Sequence, residues 1–592
     1  MNFREYVSEK PSGKILPVFC AALTLACGGA LAAGTFVTAI PGMPATLDPA
    51  GTYDRYGFMI EAALYDPLIS FSGNSPSDGF VPALSAEVPT KENGLLSGDG
   101  LTYIFPIRKG VKFHDGSPLT AEDAAYSLIR FMITDVPVGP SHLFLKPLLG
   151  ISSMLGGGGK PAADFAALRR AVRADGDKLV ITLKEPFPPL LSLLASRPFV
   201  TSKAWAAAAG EWDGAEATWK KFSGLPHEKS RIRALANGTG PFKLEKADLG
   251  QENGGIILVR NGDYWRAPAA LDRLVFNAVE RESCRLSMLE VGDIDHTELG
   301  PDQAGDIAEM KDIFAVEASP GYSISAIAFN FRIEPAMNPF IGSGALDGKG
   351  IPADLFMSAD VRKGFAYALN YDKIFSEIWR SKGARITSPI PRQLAPGRPP
   401  FVFDPEKAGM YFKKALGGRL WEKGFELTLP CLTGDSRTQR ANEIIAEELR
   451  KINPLFVVKL KPIKASDYSS PEKQLELLRR MPLSWRTFEP DYPDAYNYAF
   501  SMMHSGGGMN QYSGYSSPEA DKFCEKALRE EGAEREKALS ALDRIYSEDA
   551  PYLLLFHSGA FRAFRKGITG TDSDNWLFNT NNYTDYYRLK KP

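Results

Sequence analysis

A single hydrophobic core stops growing at roughly 250 to 300 residues, and this chain has 592. It must therefore divide into two or three lobes. Hydrophobic residues make up 44% and charged residues 24% of the chain, with a mean hydropathy of -0.19, all ordinary for soluble globular proteins. Lys plus Arg at 69 nearly balance Asp plus Glu at 71. With no strong net field, nucleic acid is not an expected partner.

The first 33 residues are of another kind. Arg4, Lys10 and Lys14 precede an apolar run from Ile15 to Ala26, and Ala30-Leu31-Ala32 follows. This is the pattern of a cleavable secretory signal, expected to be cut after Ala32 or Ala33. The run is shorter than the roughly 20 residues a spanning helix needs. Cys27 is the lesser candidate for lipid attachment, because Thr24 stands where a lipoprotein signal usually carries leucine. Cleavage leaves Cys284, Cys431 and Cys524, an odd number without a C-x-x-C pair. That indicates no disulfide framework and no thiolate zinc site, and reads as isolated buried thiols. No cofactor is expected.

Residues 35–40 (TFVTAI) read as a strand, and a helix is expected from about Gly57 to Tyr65. Tyr103, Phe105 and Ile107 alternate as a strand entered from a turn at Asp99-Gly100. Thr120, with Asp123 three residues on, predicts a capped helix start. The glycines from 156 to 159 lack the spacing and the Ser/Thr of a phosphate loop and read as a linker. Leu179, Ile181 and Leu183 alternate as a strand. From Phe425 to Ile463 the pattern is strand, helix, strand, which implies a parallel pair with a right-handed crossover. Helices should start at Asp404-Pro405 and Ser517-Pro518, and another should run through Ala538, Leu542 and Ile545. The class is mixed α/β.

Taken in order, several segments resemble the bacterial extracellular solute-binding proteins, family 5, which deliver peptides, nickel and related solutes to ABC importers. They include TLDPA at 46–50, GLTYIFPIRKGVKFHDGSPLTAEDAAYSL at 100–128, GTGPFKL at 238–244, DVRKGFAYALNYDKI at 360–374 and DYPDAYNY at 491–498. The resemblance covers nearly all of the chain beyond the signal. It implies a two-lobed clamshell, the type II periplasmic binding-protein fold, with an extra small α+β domain inserted in the first lobe. The implied division is 34–69, 186–295 and 556–592 for the first lobe, 70–185 for the extra domain and 296–555 for the second lobe. The implied role is a monomeric periplasmic binding component, peripheral to the membrane, that hands a small ligand, oligo- or dipeptides first, to permease subunits. Such a protein is not an enzyme.

The resemblance also implies site residues. Asp491 matches a carboxylate that holds a peptide's amino terminus in peptide-binding relatives. A slip of three residues would give that role to Asp494, and a plain turn around Pro490 and Pro493 is the bland alternative. Tyr53, Asp54 and Arg55 match a segment that runs beside the ligand backbone. Trp485 and Tyr492 are candidate aromatic walls, though large aromatics more often simply fill cores. His504 stands where nickel-binding relatives carry a histidine, which makes a metal chelate the rival ligand. One histidine is poor evidence for a metal site. Asp293, Asp295, His296 and Glu298 read as hinge chemistry at the expected lobe crossing. A secreted hydrolase is the alternative from another class, but no G-x-S-x-G, H-E-x-x-H or nucleotide fingerprint supports it. A sensory binding protein would share the same clamshell.

Overall fold

A computed structural model describes residues 34–592 apart from 74–77, 137–138, 157–160, 251–253, 318–322, 392–399, 434, 465–466, 468–470, 558–560, 574, 576–577, 579–580 and 582. The signal segment and most of the glycine linker therefore lie outside the described residues.

The strand Thr35–Ile40 is buried at all six positions. It lies inside a seven-stranded sheet whose order is 313–317, 561–565, 296–299, 35–40, 273–278, 255–260, 242–248. It pairs in parallel on both sides, Phe36 opposite Leu274 and Thr38 opposite His296. A strand flanked by partners and covered on both faces needs this unbroken run of apolar and β-branched residues. Among the described residues, the other lobe is built on a three-stranded antiparallel sheet, 483–488, 324–329 and 552–554, and on the parallel pair 425–432 and 456–463. The pair runs in register from Phe425 opposite Phe456 to Leu432 opposite Ile463, joined by the helix Ser436–Ile452. Asp435 caps that helix by accepting the Thr438 amide.

The structure moves the first crossing between the lobes. His296–Leu299 and Ile313–Glu317 both belong to the large sheet, through pairings with Thr35–Ile40 and Phe561–Arg565. The chain leaves that sheet after Glu317, later than the crossing expected near residue 295, and returns between Leu554 and Phe561. His296 and Glu298 are strand residues of the large sheet and Asp295 directly precedes that strand, so they do not stand at the crossing. The Asp295 carboxylate accepts the Val37 amide and the Lys591 ammonium, and His296 is sealed between Thr38 and Thr584.

Within residues 70–185, a three-stranded antiparallel sheet, 102–106, 178–182 and 172–175, packs under the helix Ala121–Thr134. Thr120 and Asp123 form the reciprocal cap at its start, each side chain accepting the other's amide. Its apolar residues join the core of the large sheet without a break. A buried ionic network reinforces this junction. Arg130 donates with both ends of its guanidinium to Asp48 and also to Glu211, 3.0 Å away. Burial alone would raise the Asp48 carboxyl. The Arg130 charge, with hydrogen bonds from Ala50 and Ser230, more than offsets that and holds it below its ordinary 3.8.

Arg130→Met leaves two carboxylates buried without their cation, so it should destabilise the protein by about 3–5 kcal/mol, measured by urea unfolding. Because the Asp48 carboxyl is depressed in the folded state, its contribution is complete above its ordinary value of 3.8 and disappears as acid protonates it. Wild type should therefore lose stability in acid more steeply than Asp48→Asn.

Candidate functional site

A cavity of about 1010 Å³ lies between the two lobes. One wall is made by the first lobe, with Tyr53, Arg55, Lys146, Phe187 and Arg197, and the other by residues 486–492, Tyr496, Phe500 and Tyr512. The C-terminal segment adds Asn581 and Tyr583.

Local capping fixes the first wall. Asp54 is extended and accepts the Gly57 amide at 2.8 Å, so the helix Arg55–Leu64 begins two residues earlier than its apolar pattern suggests. Gly57 is needed for this fit, since a Cβ there would meet Thr52 Cγ2 at 2.5 Å and Asp54 Oδ2 at 2.8 Å. Arg55, the first helical residue, is gripped by Glu298 through two hydrogen bonds of 3.0 and 3.1 Å. It also donates to the Asn581 carbonyl and lies 4.7 Å over the Tyr583 ring. Burial disfavours its charge, but Glu298 more than offsets this and keeps Arg55 firmly cationic. Asp54 and Arg55 thus line the cavity while their charges serve the helix start and the Glu298 fork.

The second wall follows the strand Leu483–Phe488. Alternation along a strand sets Trp485 and Arg486 on opposite faces. Trp485 donates to Asn442 at 2.9 Å and packs on the second lobe's core, while Arg486 lines the cavity. The chain then turns through Glu489, Pro490 and Asp491. Asp494 caps the short helix Ala495–Tyr498 through the Tyr496 amide and pairs with Arg535, and it does not line the cavity. Tyr492 is 4% exposed and meets Phe187 edge to face. The π-helix Ala499–Met503 carries Phe500 and Ser501 to the cavity wall. His504, just beyond it, stacks on Phe500 at 4.7 Å and accepts the Gly506 amide. Burial lowers its proton affinity, the nearby Asp521 counters this, and the ring is not part of the cavity lining.

Asp491 is reached from the other lobe. Its Oδ1 accepts the Tyr53 hydroxyl at 2.7 Å and Arg197 at 3.1 Å. The Arg197 and Asp491 side chains are only 12% and 13% exposed. Burial and then the Asp491 charge push the Tyr53 hydroxyl well above its ordinary range, so it stays a donor. The contact joins the lobes directly, and the packing of Tyr492 and Tyr496 on Phe187 continues it. The structure is a closed clamshell. Of the expected site residues, Tyr53, Asp54, Arg55, Asp491 and Tyr492 meet at the cavity, whereas Asp494, Trp485 and His504 do not.

Sequence reasoning passed over Glu489. It lines the cavity, its side chain is 48% exposed, and among the described residues its ion-pair partner is Arg55, at 4.0 Å. The signal was its place at the end of a strand two residues before Asp491. Among the described residues, no group of three or more His, Cys, Asp or Glu is arranged to hold a metal ion.

Two α/β lobes closing on one large cavity define a binding protein of the type II periplasmic class. The chain belongs to the bacterial extracellular solute-binding proteins, family 5, whose middle-region model matches residues 81–510. Proteins of this family are the solute-binding components of ABC importers. Similar curated proteins are the dipeptide-binding protein of Escherichia coli K12, 24% identical over 95% of this chain and 96% of its own, and heme-binding protein A of Haemophilus influenzae, 25% identical over 90% and 89%. The fold matches DppA of Helicobacter pylori, solved with the peptide STSA, at a TM-score of 0.70 and 21% identity, covering 94% of this chain and 98% of that one. These relatives are binding proteins. Among the described residues, no helix is long and apolar enough to cross a membrane.

Arg197→Met would strand the Asp491 carboxylate at the lobe interface with the Tyr53 hydroxyl alone. Amide exchange across 491–500 should then rise at least tenfold, with the 425–463 unit unchanged. Unchanged exchange in 491–500 would show that the pair does not hold the lobes together.

Proposed function

We propose that the protein captures short peptides in the inter-lobe cleft and releases them intact to the permease subunits of an ABC importer. The observation that carries this reading is the pair of carboxylates at 489 and 491 on one cavity wall. Glu489 and Asp491 form an anionic corner for the peptide's amino terminus. Glu489 is half exposed to the cavity, and Asp491, shared with Arg197 and Tyr53, offers its second oxygen. A charge-assisted bond from an ammonium to a partly desolvated carboxylate is among the stronger polar contacts available to a ligand, about 1.5–3 kcal/mol. A volume of about 1010 Å³ lies at the top of the range of about 300–1,000 Å³ for small-ligand sites, which suits more than one residue. Tyr53, Phe187, Tyr492 and Phe500 supply adaptable apolar walls for varied side chains. The dipeptide-binding relative and the peptide-bound neighbour support the same ligand class.

In this reading the chain is exported by its first 33 residues, cleaved, and works as a periplasmic monomer. Asp54 and Arg55 shape the wall, and the metal-chelate alternative is weakened by the turning of His504 away from the cavity.

Native mass spectrometry of the protein purified from its export compartment tests this. Peptide masses should accompany wild type, and Glu489→Gln should bind them at least tenfold more weakly, about 1.4 kcal/mol, with Asp491→Asn also weakened. A heme or metal-chelate mass would replace the peptide class, and cleavage of the bound peptide would overturn the transport role.

A further inference from the structure

The cavity's charges are unevenly spent. Asp54 caps a helix, Asp491 is shared with Arg197, and Asp135 accepts from Ser141, Ser153 and the Met154 amide. Arg55 is held by Glu298. Lys146 differs from all of these. It belongs to the helix His142–Leu149, whose end is fixed by Gly150 in the left-handed conformation and by a hydrogen bond from the Lys184 amide to the Pro147 carbonyl. Its ammonium lies 3.9 Å over the ring of Phe500. Phe500 stands on the π-helix of the opposite lobe, and such single-turn insertions often mark functional sites. Among the described residues no carboxylate comes within ion-pair distance of Lys146, and Glu185 is instead turned to Arg529 at 3.6 Å. Lys184 lines the cavity beside it, likewise without an ion-pair partner. The lobes therefore set a cation, part-shielded by an aromatic face, at the cavity wall with no carboxylate in ion-pair contact among the described residues, Glu525 and Glu185 acting on it only from farther away. Desolvation lowers the proton affinity of Lys146, and the charges of Glu525 and Glu185 only partly counter it.

We propose that Lys146 is a specificity-determining residue that receives a carboxylate of the bound ligand on closure, with Phe500 holding the ammonium in place. This rests on the peptide reading and narrows it to peptides with an anionic group, for which the free C-terminus is the general source and an acidic side chain the particular one. The lysine is supplied by one lobe and its aromatic seat by the other, so the subsite is complete only in the closed form, and a carboxylate there favours closure by its differential affinity.

Isothermal titration calorimetry on ligand-free mature protein tests the proposal with three probes: Ala-Phe-Ala, its C-terminal amide, and Ala-Phe-Asp amide. Wild type should bind the free acid at least tenfold more tightly than the amide. Lys146→Gln should abolish that preference, bringing the acid-to-amide ratio to about one, and Lys146→Arg should keep it. Recovery of affinity by Ala-Phe-Asp amide in wild type alone supports the same site with a side-chain carboxylate as its source. An acid-to-amide ratio that is equal in wild type and Lys146→Gln overturns the proposal while the peptide reading stands. Failure of wild type to bind any of the three overturns the peptide reading, and this inference with it.

Discussion

The run from Asp491 to Phe500 belongs to the second lobe by chain connectivity, yet its side chains complete the first. Tyr492 and Tyr496 pack on Phe187 within the core of the large sheet, Asp491 takes Tyr53 and Arg197, and Phe500 meets Lys146. The shape of the cavity depends on these contacts. Without them the lobes would be joined only near their crossings and at scattered ion pairs such as Arg437 with Glu282. Proline at 490 and 493 restricts the backbone of this run, and the cap by Asp494 starts its helix.

The same run explains how a protein can bind solutes tightly and still release them. Each inter-lobe contact is small, and two exposed or partly exposed pairs, Arg529 with Glu185 and Arg55 with Glu489, contribute little in water. The more enclosed ones, Asp491 with Arg197 and Tyr53, lie on the cavity wall, where the proposed ligand would bind. A ligand that touches this corner changes the energy of closure directly, and any ligand favours the closed form only by its differential affinity for it. In the proposed reading, binding and closure therefore involve the same side chains.

Local chemistry was legible in the sequence. The cap of Thr120 with Asp123, the starts at Asp404-Pro405 and Ser517-Pro518, and the crossover unit from Phe425 to Ile463 all stand where their residues indicate, because each is decided within a few positions of the chain. Long-range pairing was not legible. The strands at 296–299 and 313–317 look like the start of a new lobe until their partners in the large sheet are known. Asp491 stood out, but its partners lie 438 and 294 positions away, and nothing local announces Tyr53 or Arg197 as such. Trp485 reads equally well as a cavity wall or a core residue, and only its face of the strand decides between them. Glu489 was hidden by its more conspicuous neighbours, since a carboxylate's value to a ligand depends on which cations have already claimed it.

The central claim is that a peptide is held between lobes that close upon it. Single-molecule fluorescence transfer between a dye on Lys246 of the large sheet and one on Lys451 of the second lobe measures this directly, on mature protein freed of ligand and then given short peptides. Peptide should move the population to one high-transfer state, with Asp491→Ala reducing the shift at the same occupancy. A distance that stays constant while peptide binds would contradict the clamshell account.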